Sequence, residues 1–272
     1  MIDKKVVLIS GASSGIGKEI ADLFLEQNCV VYGIGQRELK GAKFNYIQAN
    51  ICDFSLCEKL VKAVVEECGK IDVLINNAGI GISGPIENTN IDDAKKLFDV
   101  NFFGAVNLTK SVLPYMREQK GGKIINISSV ASFVPIPFQV FYSASKSALD
   151  IFASGLRSEV KCFNIKVANI HPGDVRTEFT ERRKKALLDE NNPYAQNCNN
   201  AVKNMEKDEI NGMSPSKIAK VVFKVANKNN PKAFNVVGGK YKFLTFILKL
   251  FPCKTREALV RKFYFNWVAI WC

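Results

Sequence analysis

Residues 5–10, KVVLIS, run directly into Gly11-Ala12-Ser13-Ser14-Gly15-Ile16-Gly17, and an amphipathic stretch through Phe24 and Leu25 follows. The opening run is apolar almost throughout, as a short parallel strand buried on both faces must be. The glycines and serines suit a tight turn, and the pattern after them has the period of a helix. Strand, glycine-rich turn and helix N-terminus together make an anion site. Glycine lets backbone N–H groups approach a phosphate, and the helix dipole favours negative charge. A Gly/Ser cluster is equally compatible with a plain turn, and the spacing G-x-x-x-G-x-G differs from the G-x-G-x-x-G dinucleotide fingerprint. The rest of the chain decides between these readings.

Apolar runs recur at 30–32, 44–47, 73–75, 124–127, 167–170 and Phe234–Val237, with helical patterns between them at 56–68, 94–116, 142–163 and 216–226. Alternation at this spacing predicts an α/β fold, a doubly wound parallel sheet with helices on both faces, as a single domain. Ligands in such sheets bind beyond the carboxyl ends of the strands.

Chemistry is concentrated in INISSVASFVPIPFQVFYSASK. Tyr142 lies thirteen positions after Ser129, and Lys146 four after Tyr142. Tyr142 and Lys146 share a face if a helix starts near the tyrosine. An ammonium beside a phenol favours phenolate and lowers the tyrosine pKa from its usual ~10. Such a tyrosine can pass a proton to or from a carbonyl or alcohol oxygen, and a serine hydroxyl can hydrogen-bond that same oxygen. Ser128 is the other candidate hydroxyl; the spacing to Tyr142 selects Ser129.

These motifs resemble those of the short-chain dehydrogenase/reductase family, in family order over roughly residues 5–240. The glycine loop matches from Ser10, which stands where the family more often has Thr. Asn76-Asn77-Ala78-Gly79 matches its NNAG, and Asn101 in DVNFFG its catalytic asparagine. Ser129, Tyr142 and Lys146 match the rest of the tetrad. Pro172-Gly173, with Val175 and Thr177, matches the loop at the nicotinamide end. The resemblance implies a Rossmann-like sheet, catalysis by Asn101, Ser129, Tyr142 and Lys146, and a nicotinamide cofactor. Its expected contacts are Gly11, Ser13, Ser14, Gly15, Ile16, Gly17, Arg37, Asn50, Ile51, Asn77, Ala78, Gly79, Tyr142, Lys146, Pro172, Gly173, Val175 and Thr177. Asn101 would hold a water in a proton relay leading from Lys146.

Cofactor choice turns on VYGIGQRELK. An NAD site needs a carboxylate after the second strand to bind the ribose 2′-OH. Gly35 and Gln36 occupy that corner, and Arg37 follows. Arg37, helped by Lys40, could clamp a 2′-phosphate. NADP is therefore expected, with NAD the alternative, although the family often places this arginine at the position of Gln36. Asn50-Ile51-Cys52-Asp53 stands where the family reads Asp-Val-x-Asp, and Asn50 can still bond an adenine edge.

At 272 residues, 47% hydrophobic and 24% charged, the chain can bury one sizeable core. Its eight cysteines show no C-x-x-C or metal spacing, and His171 is the single histidine. No metal is expected, and free thiols point to a cytoplasmic enzyme. The net charge of +12 suits an anionic or membrane-associated partner, but no nucleic-acid motif accompanies it.

Two segments depart from the alternation. Residues 178–213 are polar and crowded with charge; they fall where the family carries a substrate lid, against the plain reading of a solvated excursion. Residues 1–240 would form the catalytic domain, and 241–272 a helical extension packed on it or on a membrane surface. From Lys240 on, the tail carries seven Lys/Arg against one acid, with FLTFIL and FYFNWVAIW clusters. Packing on the body is the expectation; peripheral membrane contact is the alternative. Phe133, Phe138 and Phe141 could line an apolar pocket or belong to the core or a subunit contact.

The expected function is hydride transfer between NADP(H) and an alcohol or carbonyl substrate, apolar and steroid-, retinoid- or lipid-like, in a homodimer or homotetramer. The alternatives are a non-catalytic NAD(P)-binding regulator and a 3-oxoacyl thioester reductase.

Overall fold

The structure is a computed structural model describing residues 3–264, without the side chains of Lys249, Cys253 and 262–264. The FYFNWVAIW cluster therefore lies outside the described residues, apart from the backbone of its first two positions. The elements run β1 (Val6–Ser10), α1 (Gly15–Glu26), β2 (Val30–Gly35), β3 (Asn45–Gln48), α2 (Phe54–Cys68), β4 (Val73–Asn76), β5 (Ile82–Ser83), α3 (Ile91–Phe98), α4 (Gly104–Glu118), β6 (Gly122–Ile127) and α5 (Val140–Glu159). They continue with β7 (Ile165–Pro172), α6 (Phe179–Arg182), β8 (Lys184–Lys185), α7 (Ala195–Ile210), α8 (Pro215–Ala226), β9 (Phe234–Val237), α9 (Gly239–Lys249) and α10 (Cys253–Tyr264).

Seven strands form one parallel sheet in the order β3-β2-β1-β4-β6-β7-β9. Alternation along β1 explains why both faces are covered. Val6 and Leu8 pack with Leu60, Val61, Leu108, Val112 and Leu156 from α2, α4 and α5. Val7 and Ile9 pack with Ile20, Phe24, Ile218 and Val222 from α1 and α8. This is the doubly wound, Rossmann-like single domain expected from the sequence.

Local signals position the ends of the helices. The Asp53 carboxylate accepts from Leu56 N at 3.0 Å and caps α2, and Gly69 ends that helix in the left-handed region at φ 79°. The stretch 94–116, read as one helix, is broken. Asp99–Phe103 widens into π turns between α3 and α4. Such bulges re-aim side chains and often sit at functional sites. Segment 178–213 is likewise more ordered than a polar excursion. Its α7 buries Cys198, Ala201, Val202 and Met205 against Ile136, Phe138 and Leu188. The spacing of those four residues is helical, but charged and Asn residues hide it.

Candidate active site

The glycine turn is closed by hydrogen bonds rather than by its glycines alone. Ser10 Oγ accepts from the backbone N–H groups of Asn77 and Ala78 at 3.0 and 3.1 Å. Asn77 Nδ2 donates back to the carbonyls of Ser10 and Gly11, both at 3.1 Å. Gly11 adopts φ +68°, and a Cβ there would lie 2.8 Å from Ala78 Cα, so only glycine fits. A side chain would also fill the cradle above the N-terminus of α1. The open turn, the free helix end and the approach of Thr177 to Gly15 fit the pyrophosphate of a nicotinamide dinucleotide.

Behind this floor, buried amides cross the sheet. Asn76 Nδ2 donates to Asn126 Oδ1, Asn126 Nδ2 to Asn169 Oδ1, and Asn169 Nδ2 to Asp150 Oδ1, at 2.9, 2.9 and 2.7 Å. His171 Nε2 meets Asp150 at 3.0 Å, and its ring stacks on Phe234 and tilts against Phe133, the three rings forming a cluster. Burial would raise the Asp150 carboxyl, but the His171 contact holds it below the usual range. Local packing was the expectation for His171, and its place in this network agrees.

The four tetrad positions converge at the carboxyl ends of the strands. Ser129 caps a short helical turn after β6 and hydrogen-bonds Tyr142 on α5. Ser128 faces the other way, toward Asp150 and the Lys146 carbonyl. Asn101, aimed by the π turns, accepts from Ile80 N at 2.8 Å and donates to Ile80 O at 3.0 Å and Ser145 Oγ at 3.2 Å. A Cβ on Gly79 would lie 3.3 Å from Asn101 Oδ1 and 3.6 Å from Lys146 Nζ, so this glycine joins the two.

One electrostatic expectation is corrected. Lys146 Nζ donates to the Ile127 carbonyl at 2.9 Å and lies 5.8 Å from the Tyr142 ring centre. It does not depress the Tyr142 phenol in this arrangement. Burial, with the Glu209 charge behind it, pushes Tyr142 up to about 12 against the Ser129 hydrogen bond. Burial also brings Lys146 down to about 8, against the Asp150 charge.

Arg37 reaches the glycine loop, donating to Ser13 Oγ at 3.1 Å and Ser14 Oγ at 2.9 Å. Asn50 Oδ1 accepts from Gln36 Nε2 at 2.8 Å and Cys52 N at 3.1 Å, which leaves its amide for an adenine edge. Ile51 is buried against Gly104. The loop after β7 is pinned by Val175 pairing with Met213 and by Arg176 N donating to Met213 O at 3.0 Å.

The phenylalanines do not make the pocket. Phe133 leans on His171, Phe138 packs on α7, and Phe141 borders a separate shallow cleft beside Phe98 and Phe103. A single cleft of about 910 Å³ takes in the glycine loop, Arg37 and Asn50 as well as Ser129 and Tyr142, and its apolar walls include Val134, Ile136, Phe179, Leu244, Leu248 and Val260. Phe179 and Tyr241 were not singled out from the sequence. The Phe179 ring lies 5.6 Å from that of Tyr142. Tyr241 on α9 covers Gly173 and donates its hydroxyl to Asp174, so the tail is tied to the loop beneath it.

The description of the short chain dehydrogenases matches residues 5–187. The chain belongs to this family. As a short-chain dehydrogenase it is an NAD(P)-dependent oxidoreductase. It is 39% identical over 236 residues to a 3-ketodihydrosphingosine reductase of Bacteroides thetaiotaomicron, covering 86% of this chain and 88% of that one. It is 34% identical to a mouse dehydrogenase/reductase SDR family member 7B, over 82% of this chain and 70% of that one. Among solved structures, a short-chain dehydrogenase from Streptomyces avermitilis superposes with a TM-score of 0.81 at 29% identity, over 96% and 97% of the two chains. More distant dehydrogenases share the fold in complexes with NAD and with NADP.

Among the described residues no group of His, Cys, Asp or Glu could hold a metal ion. No helix among them is long and apolar enough to cross a membrane.

Proposed function

We propose that this short-chain dehydrogenase is an NADP(H)-dependent reductase of a long-chain, lipid-like ketone. The observation that carries the reading is the apolar lining that Phe179 and α9 give to the cleft containing Ser129 and Tyr142. The name of the 39% identical relative, a 3-ketodihydrosphingosine reductase, supports a substrate of that class.

A nicotinamide dinucleotide held in the cleft would supply the hydride for the carbonyl carbon. Tyr142 gives its proton to the carbonyl oxygen. A phenol held at about 12 stays protonated at neutral pH, which suits the reducing direction. Ser129 hydrogen-bonds the same oxygen and fixes its position. Lys146 holds the nicotinamide ribose and returns a proton toward Tyr142, and Asn101 steadies the backbone at Ile80 beside that route. Gly11 to Gly17 receive the pyrophosphate, Asn50 and Ile51 the adenine side, and Asn77 to Gly79 with Pro172 to Thr177 the nicotinamide side. Arg37, beside Ser13 and Ser14, favours the 2′-phosphate and hence NADP.

Residues 241–272 are assigned to an extension of the catalytic domain rather than a second domain. In α9, Tyr241, Thr245 and Leu248 turn inward, whereas Phe243 and Phe246 are 69% and 63% exposed among basic residues. A cytoplasmic enzyme touching an anionic membrane through this face is the reading we adopt, with substrate entering beneath it. Ile151, 75% exposed on α5, and Phe103, 50% exposed at the end of the π turns just before α4, support a homodimer or homotetramer joined across this face.

The test is NADPH oxidation with 2-amino-3-ketones of increasing alkyl length, alongside 3-oxoacyl thioesters. Rates should climb with chain length. Preference for the thioester would move the substrate class, and no turnover with any ketone would leave the regulator reading. Salt-sensitive binding of the full chain to anionic vesicles should disappear with Phe243→Ser/Phe246→Ser; its persistence would remove α9 from the contact.

A further inference from the structure

A second arginine stands at the corner where Arg37 meets Ser13 and Ser14, and it comes from the lid. Arg182, the last residue of α6, donates from Nη1 to Ser14 Oγ at 3.1 Å. Arg37 donates to the same oxygen at 2.9 Å and to Ser13 Oγ at 3.1 Å. One small hydroxyl therefore gathers two guanidinium groups from segments 145 positions apart in sequence (182 − 37). Like charges this close repel, and burial followed by the Arg37 charge lowers the Arg182 pKa. The Glu178 carboxylate sits with them. Its Oε2 lies 4.0 Å from Arg37 Nη1 and forms an ion pair with Arg182 one turn along the lid. All three side chains remain about half exposed, and all border the large cavity.

Such a cluster adds little to the hold on the fold. Half-exposed ion pairs contribute little to stability, and the arrangement gathers more positive than negative charge. Two planar guanidiniums around one point, with hydroxyls beneath, match the donor set that receives a phosphate dianion. A dianion neutralises both arginines, whereas the single Glu178 charge neutralises one.

We propose that Arg182 is a second ligand of the cofactor's 2′-phosphate, that Glu178 occupies this place as an internal carboxylate, and that the phosphate displaces it and so fastens the lid over the cleft. The proposal rests on the reading of the enzyme as NADP-dependent and adds a lid residue to its selectivity. It also links the two ligands. NADP(H) would order the lid that covers the substrate, whereas NAD(H) would leave Arg182 on Glu178. Arg183, next in sequence, is bound inward to Glu209, so the phosphate's pull on Arg182 is passed to α7 through adjoining backbone.

Titration calorimetry with NADPH, NADH and adenosine 2′,5′-bisphosphate tests this on the wild type, Arg182→Ala and Glu178→Gln. Hydrogen exchange of the α7 amides provides a second readout. Arg182→Ala should weaken NADPH and the bisphosphate about tenfold and NADH less than about twofold. Glu178→Gln should tighten NADPH, because the competing carboxylate is gone. NADPH should protect α7 in the wild type more than NADH does, and Arg182→Ala should abolish that difference. If wild type binds NADH as tightly as NADPH, the NADP reading itself fails. If wild type prefers NADPH but Arg182→Ala weakens both nucleotides equally, Arg182 serves the pyrophosphate and the proposal is overturned. A loss of NADPH affinity in Glu178→Gln overturns the displacement.

Discussion

The floor of the cleft, from Ser10 to Lys146, is held by buried hydrogen bonds, whereas its roof, residues 178–213 together with α9, is held by ion pairs and a small apolar cluster. In the floor, Ser10, Asn77, Asn101 and the Asn76–Asn126–Asn169 chain leave backbone and amides few alternatives. In the roof, Arg182–Glu178, Lys184–Asp93 and Lys185–Glu206 lie partly in water, and α9 keeps two phenylalanines bare. The difference separates two tasks. A proton donor must be placed within fractions of an ångström, which needs an over-determined frame. A lid must open, so it is drawn from the weakly held end of the structure.

If the floor carries the chemistry, its loss should show in turnover and not in binding. Tyr142→Phe keeps the ring and removes the proton, so kcat should fall by roughly 10²–10⁴ while NADPH affinity stays within a few-fold. Turnover within tenfold of wild type would remove Tyr142 from its role. Next in size is the corner that meets the adenine ribose. Arg37→Ala should narrow the NADPH-over-NADH ratio by roughly one to two decades, measured as kcat/KM for each nucleotide. An unchanged ratio would place the selectivity elsewhere.

The roof should fail differently. Glu209→Ala leaves the buried Arg183 without its carboxylate, an imbalance that costs about 3–5 kcal/mol where a buried pair is broken. Because α7 packs in an apolar cluster apart from those of the sheet, the expected outcome is a raised substrate KM and faster exchange in α7, with NADH affinity intact. A matching fall in NADH affinity would show that floor and roof are one unit. Tyr241→Phe removes the bond to Asp174 but keeps the ring over Gly173, so its effect should be smaller, a few-fold in KM.

The last of these tests concerns pH. Burial lowers Lys146 from 10.5 to about 8, so the unfolded chain binds more protons between these values. The part of the stability attributable to Lys146 is therefore depressed below about pH 8 and rises toward pH 10.5. Denaturant titrations of wild type and Lys146→Met should show their difference shifting in favour of wild type across that window. A constant difference would mean that the lysine is not desolvated.

The floor was legible because its constraints are local and its residues unusual. A glycine with positive φ at Gly11, paired asparagines at Asn76 and Asn77, and the Tyr142–Lys146 spacing leave a trace in any single sequence. The roof was less legible for the opposite reason. The buried stripe of α7 is diluted by Asn, Lys and Glu. Phe179 and Tyr241 acquire their places only through long-range packing, on Tyr142 and on Gly173. The widened turns at Asn101 and the inward hydrogen bond of Lys146 were missed too, since backbone register and desolvation are not written in residue type.

The most direct test of the account is deuteride transfer. NADPH labelled at nicotinamide C4 with deuterium on the transferable position should be mixed with a long-chain 2-amino-3-ketone and the enzyme, and the product examined by mass spectrometry and NMR. The account predicts one deuterium at the new carbinol carbon in wild type and none formed by Tyr142→Phe that still binds NADPH. Tight NADPH binding by wild type with no deuterium transferred to any ketone of the series would contradict it.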